Sequence, residues 1–130
     1  MKRLFLFTSL VLAIGLSALT FAQTQVESGN WSANHTNVGY NLNENQGERS
    51  MTLSVSFVTP FDRKPDVVLN ITKLDCSNTT NTRYNVTPIS ISRDGFTIKI
   101  DTWADSKIYS IGGSWTAHAK KMMKMDRDEN

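Results

Sequence analysis

Cysteine occurs once in 130 residues, at Cys76, so no disulfide can close within the chain, and stability must come from a packed core or from assembly with other chains. Histidine is nearly as scarce, with His35 and His118 the only two. Neither offers a local motif for activating Cys76, which reads as a small half-buried thiol and not as a nucleophile. There is no His-x-x-x-His or paired-cysteine spacing for a metal, no glycine-rich phosphate loop and no serine elbow between glycines. Asp94, Asp101 and Asp105 stand singly near turns, where carboxylates are usually solvated, so an acid and base pair for hydrolysis is not indicated. The run Asp126-Arg127-Asp128-Glu129 lacks the glycine turn and ligand spacing of a calcium loop. These absences argue against bond-breaking chemistry and imply no metal or other cofactor.

Long apolar runs are also missing, apart from one at the start. Lys2 and Arg3 precede the apolar stretch Leu4 to Leu19, and Thr20-Phe21-Ala22 offers small residues at the cleavage positions, so residues 1–22 read as an export signal. Elsewhere nothing approaches the roughly 18 to 20 residues that span a bilayer, and no stable membrane insertion is expected. Removing Lys2 and Arg3 from the 14 basic residues leaves them equal to the 12 acidic ones. A formally neutral chain without a basic stripe is a poor binder of nucleic acid, whose affinity rests on neutralising phosphates. The Asn-x-Ser/Thr sequons at Asn30, Asn34, Asn70, Asn78 and Asn85 carry little weight in a chain this rich in Asn and Thr.

What remains is a chain dominated by a period of two. Met51, Leu53, Val55 and Phe57 alternate with Thr52, Ser54 and Ser56 as in a strand with one buried face. Pro60 and Pro65 bracket a charged loop, and Asp66 to Leu74 resumes as a strand, where Val68 and Leu74 hint at burial on both sides. A polar loop from Asp75 to Thr82 leads to a strand over Tyr84 to Ser92, whose parity slips by one residue in the manner of a bulge at Pro88. Arg93-Asp94-Gly95 is a turn. Phe96, Ile98 and Ile100 then face inward, and Ile108 to Ala119 supplies the last strand. Five or six strands without a helical period predict an all-β antiparallel sandwich over residues 23–119, and residues 120–130 read as a frayed, charged tail.

The same parity that buries Ile98 and Ile100 sets Trp103 on the outer face beside Lys99 and Asp101. Arg83 opens a strand after a polar loop, and Asp101 to Ser106 leads on to Lys107-Ile108-Tyr109. Such groups suit a sugar, since a pyranose offers hydroxyls to a guanidinium and to carboxylates while an aromatic ring covers its C–H face. A rim salt bridge from Arg83 to Asp75 or Asp105 is the plainer alternative.

At these residues the chain resembles the H-type lectins, the family of snail agglutinins and of discoidin C-terminal domains. The likeness runs from Ser28-Gly29 through Ser54 to Phe57, Thr59-Pro60-Phe61, Pro65 to Asp75, Arg83, Gly95-Phe96, Thr102 to Ser106, Ile108-Tyr109-Ser110 and Trp115-Thr116-Ala117. It implies a six-stranded antiparallel sandwich that assembles into homo-trimers or hexamers and binds galactose or N-acetylgalactosamine, on glycans or glycoproteins, in clefts between subunits. It implies that Arg83 donates to ring hydroxyls, that Trp103 and Tyr109 form apolar walls, and that a neighbour contributes acceptors from Asn43 to Glu48. Where the snail proteins carry a histidine this chain has Ala104, and their loop aspartate falls opposite Gln46. Asp105 and Glu44 or Glu48 then stand as replacements, giving an expected ligand site of Arg83, Trp103, Asp105, Tyr109, Glu44 and Gln46. The other reading is a noncatalytic structural or adhesion sandwich that has lost sugar binding.

Overall fold

The computed structural model describes residues 23–123, and the export signal read in residues 1–22 lies outside them. Six strands follow one another: β1 (Thr24–Asn34), β2 (Arg49–Ser56), β3 (Asp66–Cys76), β4 (Tyr84–Ile89), β5 (Gly95–Thr102) and β6 (Ile108–Lys120). They form two antiparallel three-stranded sheets, ordered β1-β6-β3 and β2-β5-β4, so the all-β sandwich expected from the alternation is what the chain adopts.

The central strand of each sheet supplies most of the core. Phe96, Ile98, Ile100 and Thr102 of β5 turn inward and are buried, and Ile111, Trp115, Ala117 and Ala119 of β6 face them. Phe96 meets Trp115 edge to face across the gap, with ring centres 5.4 Å apart, and Phe57 lies 5.8 Å from Trp115 and 4.8 Å from Phe61. Each fully buried side chain of this size contributes about 1.5–3 kcal/mol through removal of apolar surface from water. The indole of Trp115 also needs room on its own sheet. Its register partner Gly29 gives that room, since a Cβ there would lie 2.7 Å from the indole nitrogen.

β1 carries no alternation of its own in the sequence. Its inward positions are Gln25, Glu27, Gly29, Trp31 and Ala33, of which only the last two are buried and apolar. Gln25 and Glu27 sit over the 57–65 loop. The Glu27 carboxylate accepts from the Val58 and Thr59 amides at 2.7 and 3.4 Å, and Gln25 donates to the Pro60 carbonyl at 3.2 Å.

Two details differ from the alternation read in the sequence. β4 pairs with β5 without interruption from Tyr84 to Ile89, Pro88 included, so no bulge lies at the proline. The parity slip comes just after the strand, where Ser90 has φ 51° and lets Ile91 turn back toward the core. The bulges fall in the β3–β6 ladder instead, between Ile71 and Lys73 and between Asp75 and Cys76. β3 is an edge strand, and Val68, Ile71 and Leu74 are exposed, not buried on both faces. At the other end of the chain, β6 reaches Lys120, and the backbone amides of Lys121 and Met122 donate to Gln23 and Asp62, so this part of the charged tail is tied down.

The first bulge explains a close approach. The β3 backbone crowds onto Gly113, where an added Cβ would overlap the Asn70 carbonyl and come within 2.9 Å of the Ile71 Cα. Both obstacles are backbone and have little freedom to move. Gly113→Ala is therefore expected to lower stability by about 2 kcal/mol, within the usual range for overpacking, as read from urea unfolding. A midpoint unchanged from wild type would mean that the β3–β6 spacing is wider than described.

Candidate functional site

One end of the sandwich gathers three connections: residues 35–48 between β1 and β2, 77–83 between β3 and β4, and 103–107 between β5 and β6. Arg83, Trp103 and Asp105 all lie here. Arg83 is fixed first through its backbone. Its amide donates to Ser106 Oγ at 2.8 Å, and its carbonyl accepts from Thr102 Oγ1 at 2.6 Å. Ser106 and Thr102 are themselves buried, and Ser106 Oγ donates onward to the Asn81 carbonyl at 2.7 Å. The β4–β5 pairing ends at Tyr84 opposite Thr102, so Arg83 and Trp103 each stand one residue beyond the last paired position.

The Arg83 side chain reaches Asp105, Nη1 to Oδ1 at 2.7 Å, and both groups are more than a third exposed. Of the two partners considered for a rim bridge, Asp105 is the one in contact. Oδ2 of the same carboxylate accepts from the Asn81 amide at 3.3 Å. That backbone donor, followed by the Arg83 guanidinium, holds the Asp105 carboxyl below its ordinary value of 3.8. Among the described residues only Nη1 of the guanidinium has a partner, which leaves Nε and Nη2 as free donors of a planar fork.

Trp103 is 41% exposed whereas Trp31 and Trp115 are each 6% exposed, so the parity argument placed the indole correctly outside the core. The chain turns sharply after it. Ala104 has φ 56°, a left-handed conformation that costs a residue with a Cβ on the order of 1 kcal/mol, and it persists because its surroundings hold it. Its carbonyl accepts both from the Gly47 amide at 3.0 Å and from Arg49 Nη2 at 3.1 Å.

Arg49 is the residue that sequence reading missed. It is only 7% exposed and has no carboxylate partner among the described residues. Its guanidinium is spent on backbone carbonyls: Nη1 on Glu44 and Ser106 at 2.8 Å each and on Leu42 at 3.4 Å, Nε on Gly47 at 3.1 Å, and Nη2 on Ala104. One buried cation thus ties the 41–48 loop to the 103–107 loop. A signal was present, because Arg49 shares the inward parity of Met51, Leu53 and Val55.

Among the described residues the remaining expected ones make no hydrogen bond or ion pair with Arg83, Trp103 or Asp105. Glu44 and Gln46 are exposed on the tethered 41–48 loop, where Asn45 (φ 58°) and Gly47 (φ 89°) take left-handed conformations. Tyr109 is 43% exposed on β6. The second bulge aims it outward: Asp75 pairs with Ser110 and Cys76 with Ile108, so Tyr109 is the extra residue and Ile108 turns inward. Tyr40 braces the base of this end. Its hydroxyl donates to the Ile108 carbonyl at 2.6 Å, and burial, reinforced by Asp75, pushes the phenol up to about 12. Among the described residues no three of His, Cys, Asp and Glu converge on a point that could hold a metal ion.

The H-type lectin domain matches this chain over residues 52–118, half of its length, from within β2 to within β6. The chain belongs to the H-type lectin family. This H-type lectin is 37% identical over 79 residues to one of the discoidin-1 polypeptides of Dictyostelium discoideum, an overlap covering 60% of the chain and 31% of that protein. It is 34% identical over 71 residues to the product of ATP synthase subunits region ORF 7 of Fuscovulum blasticum, covering 55% of the chain and 62% of that protein. The overlap thus spans about a third of the length of the discoidin relative and under two thirds of the other. In three dimensions the H-type lectin is similar to discoidin II of Dictyostelium discoideum, with a TM-score of 0.68 at 21% identity over 78% of this chain and 39% of that one. Likeness at that identity establishes a shared fold.

Proposed function

We propose that this H-type lectin is a secreted carbohydrate-binding protein for terminal galactose or N-acetylgalactosamine on glycans and glycoproteins, acting without catalysis and multivalent through assembly into trimers or hexamers. The reading rests on one observation above the others: a half-exposed indole, Trp103, shares an end of the sandwich with a guanidinium whose Nε and Nη2 donors have no partner among the described residues. An indole covers the C–H face of a pyranose, and the fork of Arg83 meets two adjacent hydroxyls at fixed angles. Asp105 holds that fork in place and accepts from a further hydroxyl. Tyr109 adds a second apolar wall, and Glu44 and Gln46 of a neighbouring copy supply acceptors where the cleft closes between protomers. In this layout residues 1–22 direct export, 23–119 form the lectin domain, and 120–130 form a charged tail.

A single wet site with so few contacts binds weakly, and retention on a glycan surface depends on several sites engaging at high effective concentration. The test is a broad glycan panel with free-sugar competition, combined with acrylamide quenching of tryptophan fluorescence. Because the other two tryptophans are buried, quenching reports mainly Trp103. Galactose-ended or N-acetylgalactosamine-ended glycans are expected to be retained and competed, with quenching reduced at saturating sugar. Retention of no glycan would sink the lectin reading, and unchanged quenching at saturation would take Trp103 out of the site.

A further inference from the structure

The outer face of the β2-β5-β4 sheet holds a cavity of about 720 Å³ that opens beside Trp103. Lys99 and Asp101 of β5 form its floor, Glu48 and Ser50 one bank, and Asn85 of β4 the other. Register puts Ser50, Asp101 and Asn85 in one row across the three strands. Neither Arg83, Asp105 nor Tyr109 lines it, so it meets the expected sugar site only at Trp103 and at Glu48, the end of the acceptor loop.

We infer that this cavity is a second carbohydrate subsite, which takes a neutral sugar residue next to the one held at Arg83. The inference rests on the lectin reading and adds to it a preference for oligosaccharides over a single terminal sugar. Three observations lead there. The lining mixes a hydroxyl, an amide, a carboxylate and an ammonium group along one aromatic wall, which is the combination that vicinal hydroxyls and a C–H face satisfy together. The volume falls in the range of small-molecule pockets, on the order of 300–1,000 Å³, and suits a glycan that continues past the first ring.

The third observation is charge. Lys99 Nζ lies 3.2 Å from Asp101 Oδ1, and the guanidinium of Arg49 beneath is spent on carbonyls, so the lining holds no unpaired cation while Glu48 adds a negative charge. A sialylated or sulfated residue would bring a second anion against Glu48 and Asp101, which favours hexoses and N-acetylhexosamines. Nor is the Lys99–Asp101 pair needed by the fold. The Lys99 and Asp101 side chains are 42% and 27% exposed, and surface pairs of this kind add about 0–1 kcal/mol to stability.

The experiment compares the wild-type chain with Lys99→Met/Asp101→Asn. It titrates methyl galactoside, methyl N-acetylgalactosaminide, and neutral and sialylated oligosaccharides that end in the same sugars. Wild type should bind at least one neutral oligosaccharide about tenfold more tightly than the matching methyl glycoside, a step worth about 1.4 kcal/mol. The double variant should bring that ratio close to one while methyl-glycoside affinity stays within about twofold. A ratio unaffected by the double substitution, or no oligosaccharide exceeding its methyl glycoside, would overturn the subsite. A change in oligomer mass in the variant would also overturn it, because the cavity would then seat a second copy of the chain. Loss of methyl-glycoside binding in the wild type itself is a different failure, that of the lectin reading as a whole.

Discussion

Replacing Arg49 by methionine is expected to cost about 3 kcal/mol of folding stability, the largest loss for any single side chain outside the apolar core. Methionine matches the length of the arginine stem and keeps its packing, so the substitution isolates the guanidinium. Five carbonyls, from Leu42, Glu44, Gly47, Ala104 and Ser106, lose their shared donor. Leu42 and Ala104 each keep a backbone donor, from Ile108 and Gly47, whereas the buried Ser106 has no other donor to its carbonyl among the described residues, and a buried acceptor left unmade costs about 1–3 kcal/mol. The removal of a desolvated charge offsets part of this, since burying an unpaired cation is itself expensive. A domain of this size shifts its melting temperature by roughly 4–8 °C per kcal/mol, so thermal unfolding should resolve the effect without ambiguity. Amide exchange should locate it, with residues 44–47 and 104–106 exchanging faster together because one group holds both segments. Arg49→Lys should fall between the two, because an ammonium keeps the charge but has three donors and no planar fork. A methionine variant within about 1 kcal/mol of wild type would show that the loops hold each other through the Gly47 amide and its neighbours alone.

Arg49 also shows where the sequence stopped being legible. The sandwich itself could be read because β2, β5 and much of β6 bury one face and wet the other, which writes a period of two into the residues. β1 belongs to the same core but escaped, because its inward row begins with Gln25 and Glu27, whose work is to bind loop amides and not to exclude water. The slip around Pro88 was real in the pattern, yet parity alone cannot separate a bulge within a strand from a left-handed residue just past its end, which is what Ser90 provides. Trp103 was legible for the same reason as the core, since parity forced it outward. The pairing of Arg83 with Asp105 was visible only as a choice between two aspartates, because it depends on the left-handed turn at Ala104. That turn is imposed by contacts from a loop more than fifty residues away in the chain, namely the Gly47 amide and the Arg49 guanidinium. Tyr109 likewise depends on a bulge set by the opposite strand. What escaped in each case is a conformation fixed by distant partners, whereas what was legible is local periodicity.

Arg83→Ala should abolish retention on a galactose-bearing matrix while leaving the sandwich folded. The fold is spared because the two hydrogen bonds that fix this position use the backbone amide and carbonyl, which alanine retains. The side-chain pair with Asp105 is more than a third exposed on both sides, so solvent screens it and its loss should leave folding stability close to that of wild type. Binding is different, since charged donors to sugar hydroxyls are worth about 1.5–3 kcal/mol and their removal weakens each site by more than tenfold. Retention that needs several sites at once then falls by a multiple of that factor. Arg83→Lys should recover part of the loss, as a single ammonium can serve Asp105 or a hydroxyl pair but lacks the fork to serve both. The pH response separates the charge pair from the sugar contacts. The carboxyl of Asp105 is held low in the folded chain, so the stabilisation it brings is complete above its unfolded value and is lost only as pH falls through the folded one. Wild-type binding should accordingly stay flat from about pH 5 to 8 and weaken only in stronger acid, once Asp105 takes up a proton and releases the fork. Full retention by the alanine variant on the same matrix would remove Arg83 from the site, and a wild-type binding curve that falls between pH 5 and 8 would assign the controlling charge to another group.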